Sequence, residues 1–329
     1  MKKKKKDTPK VKEVDKKFNK FRTPKKTKQD YKQEKFKAAF ASDEEAKPKR
    51  MGKRVHGKAN DKGKFKKKTY KSSSKSSFTP PKKNTTPDLL PLEDEMRLNK
   101  YLAHAGICSR RKATEYIQKG DVMVNDVVVL EMGHKVMKDD VVKYLGKVIT
   151  PVREAIYILL NKPRNVITTL QDEKGRRSVS EFIAEKTKER VYPVGRLDRN
   201  TTGLLVMTND GDLAQKLSHP SYEVRKVYKA TLDKKISEAE IEQIRNTLEL
   251  EDGPAPVDDV AYVSDNKKVV GIELHIGRNR IVRRIFEHLG YEVVKLDRVM
   301  YSSLTKKNLP VGHSRFLTRH EVVLLKHLV

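Results

Sequence analysis

Apolar residues are unevenly distributed along the chain. Residues 1–88 contain no Leu and no Ile, and Lys dominates them with Ser, Thr and Pro between. Such a segment buries too little apolar surface to offset its ordering entropy, so a disordered tail is predicted there. Regular patterning begins near Asp94. Leu98, Tyr101, Leu102 and Ala105 fall at i, i+3, i+4 and i+7, one face of an amphipathic helix that Gly106 ends. Ser109 is placed to cap a second helix with a buried face of Ala113, Tyr116 and Ile117. Gly120 stands where a left-handed C-terminal turn is expected. Val122 and Val124, then Val127 and Val129, predict a short β-hairpin around Asn125-Asp126. Val136, Val141, Val142 and Tyr144 predict a further pair of strands.

A second patterned region runs from about Ala155 to the end. Ile156–Leu160 is a short apolar run that reads as a buried strand, and Val191–Val194, Leu204–Thr208 and Val227–Leu232 predict others. Ser237 and Glu240 form a capping box, followed by a helical stripe of Ile241, Ile244 and Leu248. Ile272, Leu274 and Ile276 alternate with Glu273 and His275, as in a half-buried strand. Arg280–His288 predicts a helix with core face Ile281, Val282, Ile285, Phe286 and Leu289, and Gly290 is its stop. The elements follow no regular βαβ order and no internal repeat, which gives an α+β fold. Three parts are expected: a tail over 1–94, a small domain over 95–154 and a larger one over 155–329.

Charge adds a partner class to this picture. The formal net charge is +29, and residues 1–94, with 32 Lys and Arg against 12 Asp and Glu, supply +20 of it. Such an excess points to a polyanion, nucleic acid first. Phe18, Phe21, Tyr31, Phe36, Phe40, Phe65, Tyr70 and Phe78 recur through the tail, which therefore reads as an RNA-affinity segment that follows a phosphate backbone and stacks on unpaired bases. The one cysteine, Cys108, excludes an internal disulfide and a cysteine metal cluster, and a cytoplasmic location is expected. It reads as a small packed residue. There is no run of about 20 apolar residues, so no membrane span is expected. No apolar stretch follows Lys2–Lys6, so no secretory signal is expected either.

Two places carry candidate chemistry. Arg110, Arg111 and Lys112 fill the first turn of the second helix, where cations oppose the helix dipole. A phosphate docked there, with Ser109 and the backbone amides, would repay that cost. The other place is Gly195-Arg196-Leu197-Asp198-Arg199-Asn200-Thr201-Thr202-Gly203-Leu204-Leu205, a polar turn between two apolar strands. By its spacing alone, Asp198 is either a catalytic carboxylate or the anchor of an Asx-type turn. His219 beside Pro220 has no second His spaced for a metal or a triad and reads as structural.

The stretch from Met96 to about Tyr144 resembles the S4-type RNA-binding domain. Arg97-Leu98-Asn99-Lys100-Tyr101-Leu102, Gly106, Ser109-Arg110-Arg111-Lys112-Ala113, Ile117, Gly120 and Val122-Met123-Val124-Asn125 carry the likeness. The Asp198 segment, continued by Asn209-Asp210-Gly211, resembles the signature of pseudouridine synthases. Leu160-Asn161-Lys162-Pro163 resembles that family's early lysine-proline motif. His219-Pro220 precedes Lys226-Val227-Tyr228, similar to its tyrosine motif, and Gly277-Arg278-Asn279-Arg280 through Val282-Arg283-Arg284 is similar to its late basic motif. With an S4-like domain in front, the likeness is to the RsuA-type branch, over Met96 to about Leu324. Asn165 stands where the family usually has Gly, Ile281 where it often has Gln or Glu, and Ser302 where Gly is common.

The resemblance implies a small S4-like domain, then a mixed, mainly antiparallel-sheet catalytic domain that isomerises uridine to pseudouridine. It implies Asp198 as the essential carboxylate, acting as nucleophile or by removing a proton. It implies Arg283 as the ion-pair partner of Asp198 and Tyr228 as the ring that stacks on uracil. Arg196 would hold the RNA backbone open, and Arg97, Lys100, Lys226, Arg280 and Arg284 join the helix-turn residues as RNA contacts. The uridine must be flipped or already unpaired, which points to a loop or bulge. No redox change or group transfer occurs, so no cofactor and no metal are expected. The expected partner is ribosomal RNA or a pre-ribosomal particle, with large-subunit (23S) RNA preferred over small-subunit (16S), and the expected state is a monomer. A non-catalytic ribosome assembly factor would explain the S4-like domain and the tail equally well, but has no need for Asp198, Tyr228 and Arg283 together. A polycation for DNA or membranes explains the tail alone.

Overall fold

The computed structural model describes residues 88–90, 93–170 and 172–327. Of the tail expected over 1–94, residues 1–87 and 91–92 lie outside them. Residues 88–90 run along the body: Leu90 N–H donates to Arg153 O at 2.7 Å, Ala155 N–H to Asp88 O at 2.8 Å, and Lys326 Nζ to Asp88 at 2.8 Å.

The first domain comprises β1 (Glu95–Arg97), α1 (Leu98–His104), α2 (Arg110–Gln118), β2 (Val122–Val124), β3 (Val127–Val128), β4 (Lys135–Met137), β5 (Val142–Tyr144) and β6 (Lys147–Val148). Leu98, Leu102, Ala113 and Ile117 bury the predicted helix faces against Val122, Val136 and Val142. Cys108 packs in the same core. Ser109 caps α2, accepting from Lys112 N–H at 3.2 Å. The β2–β3 turn is made by Asn125 and Asp126, with φ of 50° and 66°, the left-handed pair that a two-residue hairpin turn requires. The two later strands form as expected, but they take different partners. β4 joins β1, and β5 joins β2 and β6, because the short β4 buries only Val136 and finds its partner in the chain entering α1.

The second domain is built on one mixed sheet. Its strands are β7 (Tyr157–Lys162), β8 (Tyr192–Pro193), β9 (Thr201–Thr208), β10 (Lys226–Leu232), β13 (Asp259–Tyr262), β14 (Val269–Leu274), β15 (Val293–Tyr301), β16 (Leu304–Thr305) and β17 (Ser314–Phe316). The small hairpin β11 (Leu248–Leu250) and β12 (Gly253–Ala255) stands apart. The helices are α3 (Gly211–Ser218), α4 (Glu238–Arg245), α5 (Ile281–His288) and α6 (Arg319–His327). The sheet runs β13-β14-β10-β15-β9-β7-β17, with β8 on β9 and β16 on β15. Among the described strand pairs of this sheet only β15 with β9 is parallel, so the sheet is mainly antiparallel, as expected.

β7 is buried on both faces: Tyr157 and Leu159 face a core with α3 and α6, while Ile158 and Leu160 face one with Val166, Val179 and Leu197. α4 and α5 cover the other half of the sheet, with Ile241, Ile244, Ile285 and Phe286 against Val270, Ile272 and Leu296. The predicted Ser237–Glu240 capping box forms. Leu248 is not on the α4 stripe, because the chain turns at left-handed Thr247 (φ 63°) and Leu248 opens β11. Ile276 lies beyond the end of β14. β15, central in the sheet, has no counterpart in the periodicity. Among the described residues no helix is long and apolar enough to cross a membrane.

Candidate active site

Asp198 lies on the turn between β8 and β9, and the turn is held by groups other than its carboxylate. Leu197 is buried beneath it, donating N–H to Thr168 Oγ1 at 3.2 Å and accepting from that hydroxyl at 2.7 Å. Arg199 O accepts from Asn165 N–H at 2.9 Å and from Lys162 Nζ at 3.4 Å. Lys162, at the end of β7, also donates to Pro163 O at 3.0 Å and Val166 O at 2.8 Å. It is fully buried, and desolvation pushes its ammonium down to about 8, opposed by the nearby Asp198 charge. The lysine-proline segment is thus the bracket for the Asp198 turn. The carboxylate itself makes no hydrogen bond among the described residues. Its ionic partner is Arg283, Nε to Oδ2 at 3.9 Å. The Asx-turn alternative loses its basis: the turn does not depend on that side chain.

Three open cavities meet at Asp198. One of about 350 Å³ also touches Tyr228, Lys226, Arg298, Ile281, Val282 and Leu296. A second, of about 310 Å³, lies toward Arg283 and Glu287. A third, of about 580 Å³, lies toward Arg176, Arg196 and Thr169. Tyr228 comes from β10 and is half-buried; Arg283 comes from α5, is buried, and donates through Nη1 to Val293 O at 2.7 Å. Burial lowers the Arg283 guanidinium first, with Arg280 adding to it and Asp198 opposing. Three separate sequence segments therefore gather around the Asp198 turn, with Tyr228 on one of the cavities that Asp198 borders and Arg283 on its neighbour. The Tyr228 cavity has the features needed to take a flat uncharged ring: an aromatic wall, apolar sides and a carboxylate at the mouth.

Known proteins resemble the chain in both of its domains. A family model described as RNA pseudouridylate synthase matches residues 156–288, and the S4 domain model matches 96–142. The ribosomal large subunit pseudouridine synthase B of Bacillus subtilis (strain 168) is 44% identical over 236 residues, spanning 70% of this chain and 96% of that one. The chain belongs to the RNA pseudouridine synthase family. The dual-specificity RNA pseudouridine synthase RluF of Escherichia coli (strain K12) is 38% identical to the synthase over 244 residues, 72% of this chain and 80% of that one. A crystal structure of a pseudouridylate synthase superposes with a TM-score of 0.51 at 27% identity, covering 71% of this chain and all of the other.

Family membership makes the three unusual positions of this synthase interpretable. Asn165 has φ 63° and Ser302 φ 53°, both in the left-handed region that glycine enters without cost. Asn tolerates that region best among the other residues, so Asn165 still donates its N–H to Arg199 O. Ser302 sits in the turn joining β15 to β16. Ile281 opens α5 as a buried wall of the Tyr228 cavity.

The synthase distributes the remaining expected RNA contacts unevenly. Arg97, Arg111 and Arg196 are exposed. Ser109 and Arg110 line a cleft of about 620 Å³ between the two domains, opposite Arg190 and Tyr192. Lys112 is turned away to Glu115 at 2.6 Å, so the three cations of that helix turn do not converge on one point. Lys100 is not a free contact, because it pairs with Glu93 and lies 3.8 Å from Asp212 across the domain boundary. Arg284 is held by both oxygens of Asp252, whose carboxyl falls to about 2 mainly through that bond. Lys226 is buried and donates to His275 O at 2.7 Å, which makes it a pocket group and not a surface contact. Arg280 pairs with Glu287 at 3.0 Å and borders all three cavities. His219 has the structural role expected, accepting from Ser221 N–H at 3.3 Å. Thr168 and the pocket residue Arg298 had no part in the sequence reading, and Lys162 entered it only as a member of the lysine-proline motif; the one signal for Arg298 was a lone Arg inside the apolar frame of Leu296, Val299 and Tyr301.

Proposed function

We propose that this synthase isomerises one uridine of ribosomal RNA, in the large subunit, with Asp198 as the carboxylate that acts at the sugar. The observation that carries the reading is a carboxylate that among the described residues has no hydrogen bond and pairs only with Arg283, at the point where three cavities meet, one of them walled by Tyr228. The flipped base enters the cavity walled by Tyr228, and its C1′ remains at Asp198. Asp198, paired with the buried Arg283, either attacks C1′ or removes a neighbouring proton, so that the base can leave, turn and rejoin through C5. The preference for the large subunit rests on the Bacillus subtilis relative, whose name states that target.

The interdomain cleft supports a path for the RNA. It shares Val194, Gly195 and Ser218 with the Tyr228 cavity, so a strand lying on Ser109 and Arg110 leads to Asp198. Changing Arg110, Arg111 and Lys112 together to Ala is expected to raise KM about tenfold and to change kcat little. An unchanged KM in steady-state assays would remove this helix turn from the RNA path.

The substrate is tested by mapping pseudouridine chemically in ribosomal RNA from cells lacking the protein. The expected outcome is the loss of one large-subunit site, restored by the wild-type gene. Loss of a small-subunit site would correct the target, and an unchanged map would favour the assembly-factor reading.

A further inference from the structure

Arg298 lies in the middle of β15, opposite Tyr228 of β10 in the register, so the two share one face of the sheet and the same cavity. Its residue is 4% exposed. Nε donates to Leu204 O at 2.7 Å, and the guanidinium lies 4.6 Å from the Tyr301 ring. Nη2 is enclosed and has no hydrogen-bond partner. Among the described residues no carboxylate pairs with Arg298. Lys226, 7% exposed, lines the same cavity, and among the described residues its ammonium has a backbone carbonyl, His275 O, as its hydrogen-bond partner. Burial, and then Arg298, push its ammonium down to about 8.

Two buried cations on one cavity wall, neither of them paired with a carboxylate among the described residues, are expensive unless an anion completes them. An orphan N–H on one of them calls for an explanation of its own. The bulk substrate does not supply the anion there, because its phosphates remain outside with the backbone while only the uncharged base enters. The reaction supplies it. When the C1′–N1 bond breaks, its electron pair leaves with the uracil and spreads over N1, O2 and O4. The positive counterpart at C1′ is met by Asp198 at the mouth of the hollow. We propose that Arg298, assisted by Lys226, is the group that stabilises the detached uracil as an anion while it turns. C5 then bonds to C1′ with the returning electrons, C5 releases its proton and N1 takes one up, so that product and substrate are isomers. The inference rests on the reading of the Tyr228 cavity as the uridine site.

A charge fixed where negative charge develops acts on turnover and not on ground-state binding, and removing such a group costs about 10²-fold in kcat. The test compares the full-length wild type with Arg298→Met and Arg298→Lys in single turnover. The substrate is the ribosomal RNA fragment identified by the map, carrying uridine or 5-fluorouridine at the target. The fluorinated base is more acidic and leaves with less help. Arg298→Met is expected to slow uridine consumption about 10²-fold with KM unchanged, to slow fluorouridine consumption much less, and to be partly rescued by Arg298→Lys. Equal defects on both substrates, or a higher KM with kcat retained, would overturn the proposal. Melting temperature and RNA affinity are measured beside the rates. If Arg298→Met does not fold, Lys226→Met carries the same two-substrate comparison with the same criteria. A wild type inactive on ribosomal RNA but active on another RNA refutes the substrate reading only, and the comparison is then run on that RNA.

Discussion

Asp198→Asn is expected to cut pseudouridine formation by at least about 10⁴-fold while leaving RNA affinity and melting temperature unchanged. Such a loss corresponds to more than about 5 kcal/mol of transition-state stabilisation. The sparing of stability follows from the way the turn is built. Thr168 holds Leu197 on both sides, Lys162 and Asn165 hold Arg199, and Thr201 N–H donates to Asp198 O at 3.0 Å, so the carboxylate carries none of the turn's hydrogen bonds. The amide also removes one negative charge from a surface that receives phosphates, which does not weaken binding. The measurement is single-turnover pseudouridine formation beside a binding titration at fixed salt. A variant that keeps a tenth of wild-type turnover would remove Asp198 from its assigned role. Wild type and variant that bind RNA alike, with neither converting any uridine, would make the protein a binder.

What the sequence revealed depended on whether the signal was local. The helix faces of α1, α2 and α5, the Ser109 cap and the Ser237–Glu240 box are all set by neighbours within one or two turns. β15 was illegible because Lys295, Asp297 and Arg298 interrupt its apolar frame, and their tolerance depends on groups elsewhere in the chain. Asp297 is bonded by Lys306 and by Thr202, and Arg298 by the β9 carbonyl of Leu204. The pairing of β4 with β1 was hidden for the same reason, since two three-residue strands carry no register information of their own. Within the site, Asp198, Tyr228 and Arg283 stood out through motif likeness, and the fold sets Tyr228 and Arg283 on two adjacent cavities that Asp198 borders. Spacing could not separate free cations from committed ones. Lys100, Lys226 and Arg284 look like RNA contacts in sequence, and each has a partner that the fold supplies, whereas Lys112 pairs within its own helix turn with Glu115.

Gly203 is the position of the Asp198 signature whose replacement should cost most in stability. β9 runs parallel to β15 with Gly203 beside Arg298, at φ +113°. A Cβ built there would stand 2.3 Å from Arg298 O, 2.5 Å from its N and 2.9 Å from its C, all of them backbone atoms that no rotamer change can move. Gly203→Ala must therefore push the two central strands apart, besides forcing Ala into a conformation it disfavours. The expected cost is about 3–5 kcal/mol, a large part of a domain's stability, read as a fall of roughly 10 °C in melting temperature. Gly195, at the other end of the signature, is the control. It also has positive φ, +72°, but an added Cβ meets nothing within 4 Å, so Gly195→Ala carries only the backbone term of about 1 kcal/mol. If both variants melt alike, close packing of β9 on β15 is not what requires glycine at 203. If Gly203→Ala alone falls, that glycine is explained by the strand contact that fixes Arg298 behind Tyr228, and its variant should lose turnover more steeply than stability at temperatures where it remains folded.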